Sequence, residues 1–94
     1  MFEIKLGEDS TVLLSGRLDA AQTDKAKAVF EEIISSCDVN FENLDYISSA
    51  GLSVLLMTQK RLNNSGHRLK LKNMNRHIKE VFTYAGFDMI FEIE

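Results

Sequence analysis

Proline is absent from the 94 residues, and cysteine occurs once. With no proline and no low-complexity tract, nothing in the chain marks a linker. Cys37 alone cannot close an internal disulfide. His67 and His77, the only histidines, lie far along the chain from it, so no metal cluster is expected. Gly7, Gly16, Gly51, Gly66 and Gly86 stand singly, which leaves no GxxxxGK[ST] phosphate loop. No apolar run approaches the roughly 18 residues of a membrane span. The opening MFEIKLGEDS lacks the basic-then-apolar order of a signal peptide. A reducing, cytoplasmic location without membrane insertion is therefore the expectation. A basic excess is missing too: 11 basic against 14 acidic residues give a net charge of −3, which argues against a nucleic-acid partner.

What is present has the balance of an ordinary globular domain, 45% apolar and 27% charged. The length allows one domain, residues 1–94, with one modest core. Basic residues thicken at Lys60, Arg61, Arg68, Lys70, Lys72, Arg76 and Lys79, but they alternate with or flank apolar positions and read as a solvated face.

Phe2, Ile4 and Leu6 alternate with Glu3 and Lys5, which predicts a strand with one buried face. Gly7 to Ser10 makes a turn, and Thr11 to Leu14 returns as the second arm of a hairpin ending near Gly16. The period then changes. Ala26, Val29, Phe30, Ile33 and Ile34 share one face of a helix whose cap is Asp19 (with Gln22 as a capping box) or Thr23, with Lys25, Lys27, Glu31 and Glu32 on its wet side. Cys37 is expected as a small apolar filler near that helix's end. Val39 to Phe41 predicts a short strand. Leu52, Leu55, Leu56, Gln59 and Leu62 define a second helix, stopped at Gly66. Leu69 and Leu71 mark a strand, Ile78, Val81, Phe82 and Ala85 a third helix, and Met89 to Ile93 a last strand. The order β-β-α-β-α-β-α-β implies an α/β fold with a mixed sheet flanked by helices.

Catalytic chemistry finds little support. Ser49 has no His–Asp partner pattern, and His67 and His77 read as surface residues. An enzyme is not the reading, and no cofactor is expected. The unusual stretch is Leu44 to Leu52, LDYISSAGL, which joins a strand to a helix with almost no loop. Ser48 and Ser49 stand at the helix N-cap, and Gly51 implies that something approaches the backbone closely. Free N–H groups and the helix dipole make that end tolerant of a phosphate on Ser49. Such a phosphate adds about −1.5 to −2 charges and would repel a partner that binds the bare surface.

Two motifs carry a family resemblance. Gly16-Arg17-Leu18-Asp19 is similar to a G-x-[LI]-D signature, and Leu44 to Leu52 to a hydrophobic-D-S-[ST/A]-G-L helix entry. In both, and in the β-α order over nearly the whole chain, the sequence resembles the STAS family and, within it, the bacterial anti-sigma factor antagonists. The resemblance implies a non-catalytic module that binds an anti-sigma factor which is itself a GHKL-type serine kinase. Binding frees the sigma factor; phosphorylation by the kinase ends binding, and a PP2C-type phosphatase restores it. The acceptor position of the family, two before the glycine, is here Ser49, with Ser48 the second candidate. The residue before the acceptor, commonly acidic in the family, is here Ser48. Partner contacts are expected at Asp19, Ser48, Ser49, Ser53 and Met57. The resemblance also implies an alternative, a constitutive STAS subunit of an ABC-type lipid-transport complex without a phosphate switch.

Overall fold

The computed structural model describes residues 1–94. Five strands, β1 (Phe2–Leu6), β2 (Val12–Leu18), β3 (Cys37–Ile47), β4 (Leu69–Lys72) and β5 (Glu92–Ile93), form one sheet in the order β1-β2-β3-β4-β5. The β1–β2 hairpin is antiparallel, with Phe2 opposite Gly16 and Leu6 opposite Val12; the other three pairings are parallel. Helices α1 (Thr23–Phe30), α2 (Ser49–Asn63) and α3 (Arg76–Tyr84) connect the parallel strands. All three crossovers step the same way along the sheet, so right-handedness places all three helices on one face. That face is apolar: Phe2, Ile4, Val12, Leu14, Leu18, Val39, Phe41, Leu44, Ile47, Leu69 and Leu71 are buried beneath the helices. The other face is wet and carries Lys70 and Lys72 in ion pairs with Glu92, Glu94 and Asp38. No helix is long and apolar enough to cross a membrane.

The element order matches the expectation, but several bounds differ for physical reasons. β3 is 11 residues long rather than a short strand around Val39 to Phe41. Its register against β2 slips twice, Leu13/Ser15 facing Asn40/Asn43 and Gly16/Arg17 facing Leu44/Tyr46. Each slip puts one extra residue into β3 and resets its phase, so Phe41, Leu44 and Ile47 all face the core. Gly16 sits at the second slip with φ +85°, where a Cβ would run into the Met1 carbonyl.

The first helix stops at Phe30 instead of continuing through Ile34. The chain turns there because the Arg61 guanidinium on α2 takes the carbonyls of Phe30 and Ile33, both at 2.8 Å. Ile33 is buried, but Ile34 is exposed. Cys37 is not at a helix end; it opens β3, buried. Burial, and then the adjacent Asp38 charge, push its thiol up to about 11. Met89 lies in a 3-10 turn (Phe87–Met89) rather than a strand, and β5 is only Glu92–Ile93. That turn folds Phe87 and Phe91 back onto Phe82, with ring centroids 6.1 and 5.9 Å away.

Candidate functional site

β3 delivers the chain to α2 without a loop. Ile47 is its last residue, Ser48 the N-cap and Ser49 the first helical residue. Ser48 has extended backbone (φ −89°, ψ 170°), and its Oγ accepts the Gly51 N–H at 3.1 Å. The Ser48 N–H donates to the Leu18 carbonyl at 2.9 Å, which ties the helix start to the end of β2. The two serines therefore differ. Ser48 is half-buried with its hydroxyl turned into the helix end. Ser49 is exposed, and its hydroxyl has no hydrogen-bond partner in the chain.

An aspartate would fill the cap position of Ser48 equally well, because both residues cap through a side-chain oxygen. Ser48→Asp is thus expected to leave stability within about 0.5 kcal/mol, while Ser48→Ala costs about 1 kcal/mol. Urea unfolding followed by far-UV circular dichroism measures both.

Gly51 has a reason inside the fold. A Cβ there would lie 2.8 Å from Leu18 Cγ and 2.9 Å from Ile47 Cγ1. The body that approaches its backbone is the core itself, so the glycine lets α2 start tight against β2 and β3. Gly51→Ala is expected to destabilise by about 1–3 kcal/mol, since crowding outweighs the roughly 1 kcal/mol helix-propensity gain. The same unfolding measurement tests it, and a stabilised variant would show that the two strands yield freely.

The expected contact residues fall at one end of the sheet. Leu18 and Ile47 pair across β2 and β3, so Asp19 and Ser48 emerge side by side. Asp19 Oδ1 accepts the Ala21 N–H at 3.1 Å and caps a 3-10 turn, Ala20–Gln22, rather than α1 itself. No hydrogen bond joins it to Ser48 or Ser49. Ser53 Oγ donates to the Ser49 carbonyl at 3.1 Å, one turn along α2. Met57 follows one turn further, 64% exposed. Leu56 is half-buried, not fully inward, while Thr58 and Gln59 are buried.

A groove runs beside these residues between α1 and α2, with a volume of about 520 Å³. Ala50, Ser53, Val54 and Met57 line it from α2, and Asp24, Lys27 and Glu31 from the α1 side. Lys27 and Glu31 fall on the wet side of α1 by their spacing, and nothing in the sequence marks a groove. Only the packing of α1 against α2, fixed by the Arg61 bonds, creates one. On the wet sheet face near the same end, the Arg17 guanidinium stacks 4.3 Å from the centre of the Tyr46 ring. His77 is exposed on α3. His67 lies at the opposite end of α2 from Ser49, with Nδ1 3.4 Å from Ser36 Oγ.

Comparison with known proteins places this geometry. The family model described as "Mlab, STAS domain" matches residues 2–92. BtrV of Bordetella bronchiseptica, assigned by name to the anti-sigma factor antagonists, is 38% identical over 74 residues. That match takes in 79% of this chain but 58% of BtrV, so the chain spans little more than half of its relative. Among solved structures, the Bacillus cell fate determinant SpoIIAA in its phosphorylated form is similar at TM-score 0.71 and 22% identity, over 100% of this chain and 91% of that one. Its unphosphorylated form gives TM-score 0.73 at 21% identity, over 100% and 87%. An anti-sigma factor antagonist of Mycobacterium paratuberculosis gives TM-score 0.82 at 14% identity, over 99% and 83%. At such identities the structures speak for the fold alone. The family match covers nearly every residue, from β1 to β5, and the chain belongs to the STAS domain family.

Proposed function

We propose that this chain is an anti-sigma factor antagonist: a non-catalytic module that binds an anti-sigma factor and is switched off by phosphorylation of Ser49. The observation that carries the reading is the division of labour between the two serines. Ser48 caps α2 through its hydroxyl, which leaves the Ser49 hydroxyl unbonded and exposed at the helix start. A kinase can reach that oxygen without unfolding the cap. The phosphate would then sit at the positive end of α2, where the opening N–H groups precede the first intrahelical donor, Leu52. The modified fold is stable, and only the surface changes. BtrV, a relative named as an anti-sigma factor antagonist, supports the same reading.

In this reading the partner covers the Ser49 end of α2 and its outer face, including Asp19, Ser53 and Met57. Ser48 shapes the contact from below. The anti-sigma factor is a GHKL-type serine kinase, a PP2C-type phosphatase reverses the modification, and the cycle runs in the cytoplasm. Regulation of sigma-factor-dependent transcription follows from release of the sigma factor.

Incubation with candidate GHKL kinases and ATP, read by intact mass, tests the switch. The expected result is a gain of one phosphate that maps to Ser49 and is absent from Ser49→Ala. No modification by a kinase that nevertheless binds the chain would overturn the switch and favour a constitutive subunit, as in a lipid-transport complex.

A further inference from the structure

β1 is an open edge of the sheet. The Arg17 N–H donates to the Met1 carbonyl at 3.0 Å and the Gly7 N–H to the Thr11 carbonyl at 2.7 Å, which fixes the phase of the hairpin ladder. Glu3 and Lys5 therefore turn their backbone groups toward β2, and Phe2, Ile4 and Leu6 turn theirs outward. Of the outward groups, the Phe2 carbonyl accepts from Lys25 Nζ at 2.8 Å. The strand also ends on an apolar side chain left in water, Leu6, 51% exposed.

We propose that this edge is a self-association surface: β1 pairs antiparallel with β1 of a second copy about a two-fold axis through Ile4. Charge selects that register. Backbone phase permits the axis at Glu3, Ile4 or Lys5. An axis at Glu3 sets two carboxylates directly opposite, and one at Lys5 sets two ammonium groups opposite, both unfavourable. An axis at Ile4 sets Glu3 opposite the second copy's Lys5 twice over, because a two-fold contact repeats itself. Both side chains are exposed and available: Lys5 makes no ion pair within the chain, and Glu3 has only Lys25 at 3.8 Å. The same register sets the half-exposed Leu6 opposite the second copy's Phe2.

Lysines on edges commonly guard against pairing. Here the Phe2 carbonyl has a second lone pair, so it can accept from both Lys25 and the second copy's Leu6 N–H. A five-residue strand covers less than the roughly 1,200–2,000 Å² of a stable interface, so the pairing is weak and depends on concentration. Ser49 lies off this edge, at the end of β3, and stays accessible in the pair.

Sedimentation velocity of the full chain from micromolar to millimolar concentration tests the proposal. The mass is expected to climb from 10.7 kDa toward twice that value. Glu3→Lys and Lys5→Glu should each weaken association by roughly tenfold or more, since attractive pairs become repulsive ones. The double variant, Glu3→Lys with Lys5→Glu, should restore it. Circular dichroism checks that all three variants keep the fold. A monomer at every concentration would overturn the proposal, as would association that ignores the single reversals or is not recovered by the swap.

Discussion

Phe82→Ala is expected to destabilise the chain by about 3–5 kcal/mol. Phe82 is fully buried, 0% exposed, and touches aromatic rings from two directions. Phe41 of β3 meets it edge-on at 5.9 Å, while Phe87 and Phe91 close over it from the C-terminal turn. One ring thus ties the central strand, α3 and the last strand into a single core. Truncation would leave a cavity bounded by strand and helix backbone, which cannot collapse easily. For a chain of this length, the loss corresponds to a fall in melting temperature of at least roughly 12 °C. Thermal and urea unfolding of the variant measure it directly. A cost below about 1 kcal/mol would mean that the C-terminal turn repacks freely, and that the aromatic cluster is not what anchors β5.

Most of the element order was legible because apolar spacing switches cleanly between two and three-to-four residues. Three places were not legible, and each depends on contacts between distant residues. β3 looked short because its alternation breaks at Glu42-Asn43 and again at Asp45-Tyr46, the positions of the two register slips against β2. A single strand read alone does not show that its neighbour lacks a residue at those points. The end of α1 depended on Arg61, which lies 31 residues beyond Phe30 and turns the chain by binding its carbonyls. The last segment looked like one strand because Met89 and Ile90 are apolar, yet both are exposed, at 87% and 42%.

The site was legible in a different sense. LDYISSAGL showed a helix start with paired hydroxyls and an anomalous glycine. It did not show which serine would serve as the cap, nor what pressed on Gly51. Packing answered both: Ser48 turns inward, and Leu18 and Ile47 are the close neighbours of Gly51. The groove between α1 and α2 left no local signal, since its walls come from two helices that each read as ordinary amphipathic surfaces.

The second large effect concerns Ser49. Its side chain is exposed and engages nothing in the chain, so Ser49→Asp and Ser49→Ala should both fold with near-native stability. Their binding should diverge sharply. An aspartate places a negative charge where the proposed partner must exclude water. Leaving a charge buried and unpaired costs about 2–5 kcal/mol. Alanine removes only an uncharged hydroxyl that makes no hydrogen bond within the chain. Calorimetric titration of the proposed anti-sigma factor partner with wild type, Ser49→Ala and Ser49→Asp is therefore the most direct measurement. Ser49→Ala is expected to bind within a few fold of wild type, and Ser49→Asp roughly thirtyfold more weakly or worse. Equal affinity of all three, with the fold intact, would contradict the proposed switch.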